Sequence, residues 1–162
     1  MAYSLRAARY ADYEALCALL EEVDEIHRDQ LPEFFRRLPG PARSASYMHS
    51  LISDSKVGFF VAVEEEALVG CVVIAARQTP NVPVLMPRDY AVIECVVVKE
   101  AFRGRGVGRA LMSMGERWAR ERGLEAVELD VFEFNTAARA FYEELGYKTV
   151  SRRLVKRLHP DA

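Results

Sequence analysis

The sequence predicts an α/β fold of the α+β kind, with a mixed, mostly antiparallel central sheet of six to seven strands flanked by about four helices. Three observations favour this fold class. Segments rich in β-branched and aromatic residues alternate with segments whose apolar residues recur at helical spacing. Two strand-like segments, 57–66 and 67–77, follow each other across an acidic turn, which is typical of an antiparallel hairpin. A glycine-rich turn at 104–108 leads from a strand-like run into a helical one. The resulting element order is β-α-α-β-β-β-α-β-α-β.

The first elements are a strand and two helices. Residues 3–10 read as a short strand, and Asp12 can cap a helix that begins there. This helix should end near Gln30, because Pro32 disfavours helical geometry just before it. The next residues, 31–43, hold three prolines and predict an irregular connection, after which a second short helix follows Ser44.

The central elements are strands. After the predicted hairpin, the three prolines of residues 78–89 indicate a loop. Residues 89–100 (DYAVIECVVVKE) are mostly apolar on both faces of a strand, which predicts a place in the interior of the sheet.

The last third of the chain continues with helices and strands. After the glycine loop, one helical stripe of apolar residues precedes a stop at Gly123, and its members are Val107, Leu111, Met114 and Trp118. A strand over 126–134 is predicted next. Asn135 or Thr136 then caps a helix that runs to Leu145 and is closed by Gly146. Residues 147–158 read as a final strand.

Length and composition bound the function classes. The 162 residues suit one domain covering 1–162, and a formal charge of −2 gives no electrostatic footprint for nucleic acid. No apolar run approaches the ~20 residues that span a bilayer, and the charged N-terminus does not resemble a secretory signal. Three widely spaced cysteines form no metal or disulfide pattern. We therefore expect a cytoplasmic protein with reduced thiols, no metal, and no nucleic-acid or membrane partner.

The glycine loop is the most specific local feature of the sequence. A strand-to-turn-to-helix transition places unpaired N–H groups and the positive end of a helix dipole at one point, which suits a phosphate or pyrophosphate. Glycine permits positive φ and close approach of the backbone, and Arg103, Arg105 and Arg109 add positive charge. The spacing fits neither a dinucleotide-binding G-x-G-x-x-G motif nor a P-loop. On the glycines alone, a phosphate site and a tight turn that binds nothing remain equally open.

Two longer segments carry a resemblance to a known family. IECVVVKEAFRGRGVGRALM resembles the first signature of the GNAT superfamily of N-acetyltransferases, a strand followed by R-x-x-G-x-G and a helix, with Arg103, Gly106 and Gly108 at its fixed positions. NTAARAFYEELGYK resembles the second signature, and its matching residues are Asn135, Ala138, Phe141, Tyr142, Gly146 and Tyr147. The resemblance covers roughly residues 91–148 and implies a GNAT-like fold.

The resemblance implies acetyl-coenzyme A as co-substrate. Its pyrophosphate would lie on the loop and the start of the helix, formed by Arg103, Gly104, Arg105, Gly106, Val107, Gly108 and Arg109. Its pantetheine arm would lie beside a splayed strand and take main-chain contacts from Val96, Val97 and Val98. Asn135, Ala138 and Tyr142 would complete the coenzyme site.

The resemblance also implies catalytic roles. Tyr142 would donate a proton to the leaving thiolate, although packing beside Phe141 would also explain it. The Val96 N–H would stabilise the developing oxyanion. Strand alternation places Glu94 on the face of Val96 and Val98, where it is either the base or a solvated or salt-bridged glutamate, the two being equally open. Cys95 would point to the opposite face from Val96, which favours direct transfer in a ternary complex over an acetyl-enzyme.

The acceptor cannot be read from the sequence. A small-molecule amine is slightly favoured, and a protein or peptide amino group is the alternative; a closed acidic pocket would favour a polycation. A coenzyme-A-binding regulatory domain without catalysis is a further alternative of another class. The resemblance also makes a homodimer possible.

Overall fold

The computed structural model describes residues 3–158, and contacts divide the chain into two compact units, residues 1–130 and 131–162. These described residues form a mixed five-stranded sheet and four α-helices. The α+β class is therefore confirmed, whereas six to seven strands is one or two too many. The strands are β1 (Tyr3–Ala7), β2 (Val57–Glu64), β3 (Ala67–Gln78), β4 (Asp89–Val98) and β5 (Val127–Leu129). The helices are α1 (Tyr13–Gln30), α2 (Ala45–Ser53), α3 (Val107–Glu121) and α4 (Thr136–Glu144).

The sheet has the order β1-β2-β3-β4-β5 and lies entirely in the first unit. Every neighbouring pair is antiparallel except β4 and β5, which are parallel. The hairpin between β2 and β3 turns at Glu65 and Glu66, both of which have positive φ. The predicted hairpin and the interior position of β4 are thus confirmed.

The two faces of the sheet are covered by different helices. On one face, α1 and α2 pack on alternate residues of β2 and β3, and the buried cluster includes Leu16, Leu19, Leu20, Met48, Phe59, Val61, Cys71 and Val73. On the other face, α3 approaches so closely that a Cβ added to Gly115 would lie 3.4 Å from Ile93 and 3.6 Å from Ile74. Three residues of the predicted apolar stripe are buried, namely Val107, Leu111 and Trp118. The fourth, Met114, is only half-buried, whereas Met112, which lies outside the predicted stripe, is buried.

Strand β4 contains a β-bulge at Glu94. Ile74 pairs with Ile93 and Val73 pairs with Cys95, so that Glu94 has no partner of its own on β3. A bulge of this kind adds one residue to a strand and reverses its alternation. Ile93 accordingly packs towards α3, whereas Cys95 and Val97 pack with the cluster beneath α1. The predicted placement of Glu94, Val96 and Val98 on one face is therefore wrong.

The boundaries of α1 and α2 agree with the sequence signals, although the Asp12 side chain at the N-cap of α1 makes no capping hydrogen bond. Helix α1 ends at Gln30, and Ser44 caps α2 by accepting a hydrogen bond from the Tyr47 N–H at 3.2 Å. Gly123, which follows α3, has a φ of 69°.

The two C-terminal strand predictions are wrong in extent or in kind. The strand predicted over 126–134 is limited to Val127–Leu129, and residues 147–158 have no regular secondary structure. Val150 and Leu154 are 90% and 88% exposed. Within residues 131–158, α4 is the regular element, so an extended segment there has no strand of its own unit to pair with, and isolated strands are unstable in water.

Candidate active site

The loop before α3 has the backbone geometry that its glycines permit. Gly104 and Gly106 have φ values of 71° and 82°, in the left-handed region that favours glycine. Gly106 is the N-cap of α3, and its carbonyl accepts the first helical hydrogen bond, from the Ala110 N–H at 3.0 Å. Residues 107–109 form the first turn of the helix, before Ala110. Their N–H groups therefore point out of the N-terminal end of the helix, where the helix dipole is positive.

Space beside the loop fits a phosphate group. A Cβ added to Gly104 would have no heavy atom within 4 Å, and one added to Gly106 would meet only the Tyr3 hydroxyl, at 3.9 Å. The outer side of the loop is thus open, while the N–H groups of the first helical turn supply donors for an anion. This combination can accommodate an anion such as a phosphate or pyrophosphate.

The loop arginines differ in their surroundings. Arg105 forms an ion pair with Glu64, with 2.7 Å between Nη2 and Oε1, and its guanidinium lies 4.9 Å from the centre of the Phe102 ring. Part of its positive charge is therefore compensated within the protein. Arg103 donates from Nε to the Val98 carbonyl at 3.0 Å and so links the loop to the end of β4.

Beyond the bulge, β4 presents main-chain groups at an edge of the sheet. Pairing with β5 ends at Ile93, so within residues 3–130 no strand is paired with this edge of β4 further along the chain. Lys99 donates its N–H to Val69 on β3. Because N–H directions alternate along a strand, the N–H groups of Val96 and Val98 point away from β3, towards this edge.

The bulge is responsible for this direction. Before it, Ala91 donates its N–H away from β3, to the Ala126 carbonyl at 2.9 Å. Without the extra residue, the same alternation would continue, and the Val96 N–H would be used in the β3 ladder. Glu94 therefore determines the direction in which the following main-chain donors point.

A pocket opens on the face of the sheet covered by α1 and α2. It encloses about 240 Å³, and its apolar wall includes Leu20, Met48, Leu51, Phe59 and Val73. Its polar lining consists of Arg43, Tyr47, Arg77 and Glu94. Glu94 binds Arg77 with 2.6 Å between Oε1 and Nη2, and both side chains are close to half exposed. The bulge thus places the Glu94 carboxylate at this pocket, two residues from the Val96 N–H.

A second ion pair anchors the pocket wall. Arg43 precedes α2 and donates from both terminal nitrogens to Asp24 of α1, at 2.6 and 3.1 Å. This hydrogen-bonded carboxylate raises the pKa of the Arg43 guanidinium. Arg43 is therefore a fixed positive charge at the pocket.

Two thiols lie beside the pocket on neighbouring strands. A hydrogen bond between Cys71 and Cys95 raises the pKa of the buried Cys71 thiol and lowers that of Cys95. The Arg43 guanidinium lowers the pKa of Cys95 further. Cys95 lines the pocket, on the opposite face from Val96, as predicted.

The second unit contains the other predicted site residues. Asn135 accepts a hydrogen bond from the Ala138 N–H at 3.1 Å and so caps α4. The Tyr142 ring lies 5.4 Å from that of Phe141 and 6.0 Å from that of Tyr147, in an edge-on contact with the latter. Gly146, which closes the helix, has a φ of 91°.

Neither a metal cluster nor a spanning helix appears in the described part of the chain. Residues 3–158 contain no group of three or more His, Cys, Asp or Glu side chains that could hold a metal ion. No helix in the same range combines the length and apolar character that crossing a membrane requires.

Comparison with known proteins assigns the family. The model of the Acetyltransferase (GNAT) family matches residues 20–147, so the chain belongs to that family. An uncharacterized N-acetyltransferase of Methanocaldococcus jannaschii is 35% identical over 117 residues, which cover 69% of this chain and 50% of that protein. Streptothricin acetyltransferase of Escherichia coli is 30% identical over 130 residues, covering 80% of this chain and 69% of that protein. The chain spans about half the length of the first two curated relatives that it matches.

Solved structures agree with this assignment. A mutant of the BH1408 protein from Bacillus halodurans superposes with a TM-score of 0.91 at 30% identity, covering 96% of this chain and 99% of that one. An aminoglycoside acetyltransferase, AAC(6')-Iy, bound to a bisubstrate analogue of coenzyme A, superposes with a TM-score of 0.74 at 17% identity, over 98% and 99% of the two chains. The latter similarity concerns the fold alone.

Two charged pocket residues were not identified individually from the sequence. Arg43 and Arg77 come from a proline-rich connection and the end of a strand, and no motif links them. The register shift at Glu94 also left no signal in the apolar pattern, because valines follow on both faces of the strand. The pairing of β3 with β4 brings Arg77 and Glu94 together, and the ion pair with Asp24 of α1 holds Arg43 at the same pocket.

Proposed function

We propose that this protein is an N-acetyltransferase that moves an acetyl group from acetyl-coenzyme A to a primary amine by direct attack in a ternary complex. The observation that carries the proposal is the bulge in β4. It turns the Val96 N–H towards an unpaired sheet edge and places the Glu94 carboxylate at a pocket two residues away. The open, positive-φ loop at the start of α3 supports the same coenzyme.

The loop before α3 and the end of β4 would hold most of the coenzyme. Acetyl-coenzyme A would supply the acetyl group as a thioester, with its pyrophosphate on residues 103–109 and its pantetheine arm along residues 96–98. The family resemblance adds Asn135, Ala138 and Tyr142 of the second unit. Arg103 already donates to the Val98 carbonyl, so we expect it to position the loop against the strand rather than to neutralise phosphate alone.

Three groups of the protein would act on the reacting atoms. A primary amine with a pKa near ~10.4 is mostly protonated at neutral pH, and Glu94 would take the proton that the amine must lose. The Val96 N–H would donate to the carbonyl oxygen as negative charge develops there. Tyr142 would give its phenolic proton to the sulfur as the carbon–sulfur bond breaks and the carbon–nitrogen bond forms, and the second proton that the nitrogen loses in becoming an amide would restore the phenol.

The size of the pocket supports a small acceptor. A volume of about 240 Å³ lies below the range of about 300–1,000 Å³ that is typical of drug-sized ligands. The relative named streptothricin acetyltransferase acts, by its name, on a small molecule. We therefore favour a small-molecule amine over a protein amino group.

The test combines donor binding with turnover. Calorimetry should show acetyl-coenzyme A binding to the wild-type protein, and a thiol-release assay should show turnover that depends on an added amine. Glu94→Gln should retain donor binding and lose turnover near neutral pH. Absence of donor binding by the folded protein would overturn the proposal, whereas binding without turnover on a broad amine panel would favour a regulatory domain.

A further inference from the structure

We propose that the acceptor is an α-amino acid with an apolar side chain, recognised through its carboxylate by Arg77. This inference rests on the proposed function and specifies the substrate class of the same pocket. It is argued from the charge, the spacing and the size of the groups that line the pocket.

The charge of the pocket disfavours a polycation. Arg43 and Arg77 line it together with a single carboxylate, that of Glu94. Arg43 is held at the wall by Asp24 of α1. A second ammonium group on the acceptor would meet arginine rather than another acid, and like charges in a partly enclosed site repel. The polar lining instead offers one carboxylate for an ammonium group and one guanidinium, that of Arg77, whose carboxylate partner lies in the pocket itself.

The Arg77–Glu94 pair matches a zwitterion. The guanidinium and the carboxylate lie 2.6 Å apart, so opposite charges are presented side by side at the pocket. In an α-amino acid the ammonium and carboxylate groups are likewise adjacent, on a single carbon atom. The ammonium group would replace Arg77 as the partner of Glu94, and the released guanidinium would bind the carboxylate, for which its planar donor geometry is suited.

The remaining wall accepts an apolar side chain. Phe59, Met48 and Leu20 are buried, and Leu51 is half-buried beside them. The volume of about 240 Å³ lies below the range of about 300–1,000 Å³ typical of drug-sized ligands, which favours an acceptor as small as a single amino acid.

The test compares three acceptors that differ at one position. L-Phenylalanine, L-phenylalaninamide and 2-phenylethylamine share the amine and the ring, but only the first has a carboxylate. We expect kcat/KM in the thiol-release assay to be about ten- to a hundredfold higher for L-phenylalanine, the range of one charge-assisted hydrogen-bonded contact. Arg77→Gln should abolish this ratio, and because the ratio compares acceptors on one protein, effects on the coenzyme or the base cancel.

A matched arginine serves as the control. Arg88 forms an ion pair with Glu128 at 2.9 Å, and their side chains are 42% and 40% exposed, close to the 48% and 43% of Arg77 and Glu94. Arg88 does not line the pocket, so Arg88→Gln should keep the preference for L-phenylalanine.

Each unfavourable result overturns a different statement. Equal or faster turnover of the amide, of 2-phenylethylamine or of spermidine would refute the carboxylate preference while leaving acetyl transfer intact. If no amine releases thiol, transfer itself is refuted, and the preference is then measured as calorimetric affinity for the same three compounds. Equal or undetectable affinities would overturn it.

Discussion

Replacing Gly106 by alanine tests whether the loop before α3 holds the coenzyme. The residue has a φ of 82°, and an added Cβ would meet only the Tyr3 hydroxyl at 3.9 Å. The cost to the fold is therefore conformational rather than steric. A left-handed conformation costs a residue with a Cβ about 1–2 kcal/mol, and the reduced freedom of the unfolded chain returns about 0.4–1 kcal/mol. A net loss of roughly 1 kcal/mol lowers Tm by about 2–4 °C in a chain of this size.

Gly123→Ala provides a control with the same backbone cost. Gly123 follows the other end of α3, has a φ of 69°, and would place its Cβ where no heavy atom lies within 4 Å. Both variants should therefore lose similar amounts of stability in thermal or urea unfolding. Only Gly106→Ala adds a methyl group at the N-terminal end of the helix, where an anion would approach the N–H groups.

The assay is calorimetric titration with coenzyme A. Gly106→Ala should bind about ten- to a hundredfold more weakly than wild type, the equivalent of one lost charge-assisted hydrogen bond, whereas Gly123→Ala should bind like wild type. If both folded variants bind with wild-type affinity, the loop does not hold the pyrophosphate. Equal weakening in both would mean that the affinity reports general stability and not the loop.

Three further predictions concern a phenol, a helix cap and an ion pair. Tyr142→Phe keeps the ring that lies near Phe141 but removes the proton donor, so kcat should fall about 10²-fold in thiol-release assays on protein shown to be folded. Asn135→Ala removes the cap of α4 and should cost about 1 kcal/mol in urea unfolding, whereas Asn135→Ser should restore stability but not coenzyme affinity. The hydrogen bonds from Arg6, at 2.7 and 2.8 Å, lower the pKa of the Asp12 carboxyl group. The ion pair therefore stabilises the folded protein fully above the unfolded-state pKa of about 3.9, and this stabilisation is lost as the pH falls through the lower pKa of the folded state. Asp12→Asn should therefore destabilise the protein at pH 7 and have little effect at the lowest pH at which unfolding can be followed.

Each of these predictions has a contrary outcome. An unchanged kcat in Tyr142→Phe would leave the tyrosine as a packing residue. Full recovery of coenzyme affinity in Asn135→Ser would mean that Asn135 acts only as a cap. A constant difference in unfolding free energy between wild type and Asp12→Asn from pH 7 to pH 2 would show that the ion pair does not stabilise the fold.

The local features of the fold were predictable because their causes are local. The end of α1 follows from Pro32, and the start of α2 follows from the hydroxyl of Ser44, which accepts a backbone hydrogen bond. The loop glycines with positive φ were likewise readable, since few other residues adopt that conformation. The turn at Glu65 and Glu66 is an exception, because both adopt positive φ without being glycine or asparagine.

Features that depend on tertiary pairing were not predictable. The prediction of a final strand over 147–158 was wrong because a segment of β-branched and basic residues becomes a strand only where a partner strand is available. The predicted face of Glu94 was wrong for a related reason. A register shift between β3 and β4 changes the alternation of side chains along the strand without changing the apolar pattern of the sequence. The composition of the pocket was not predictable either, because its polar residues come from separate elements that only tertiary packing brings together.

The bulge has a consequence for how this protein can diverge. One additional residue in β4 makes the strand's two halves independent: Glu94 can be exchanged for another side chain while the Val96 N–H keeps its direction, since that direction depends on the number of residues and not on their kind. Substitution at 94 would thus remove the proposed base without turning the Val96 N–H, whereas deletion there would turn the Val96 and Val98 N–H groups towards β3. Lineages that keep acetyl transfer should retain a carboxylate at this position and tolerate almost no change in the length of β4.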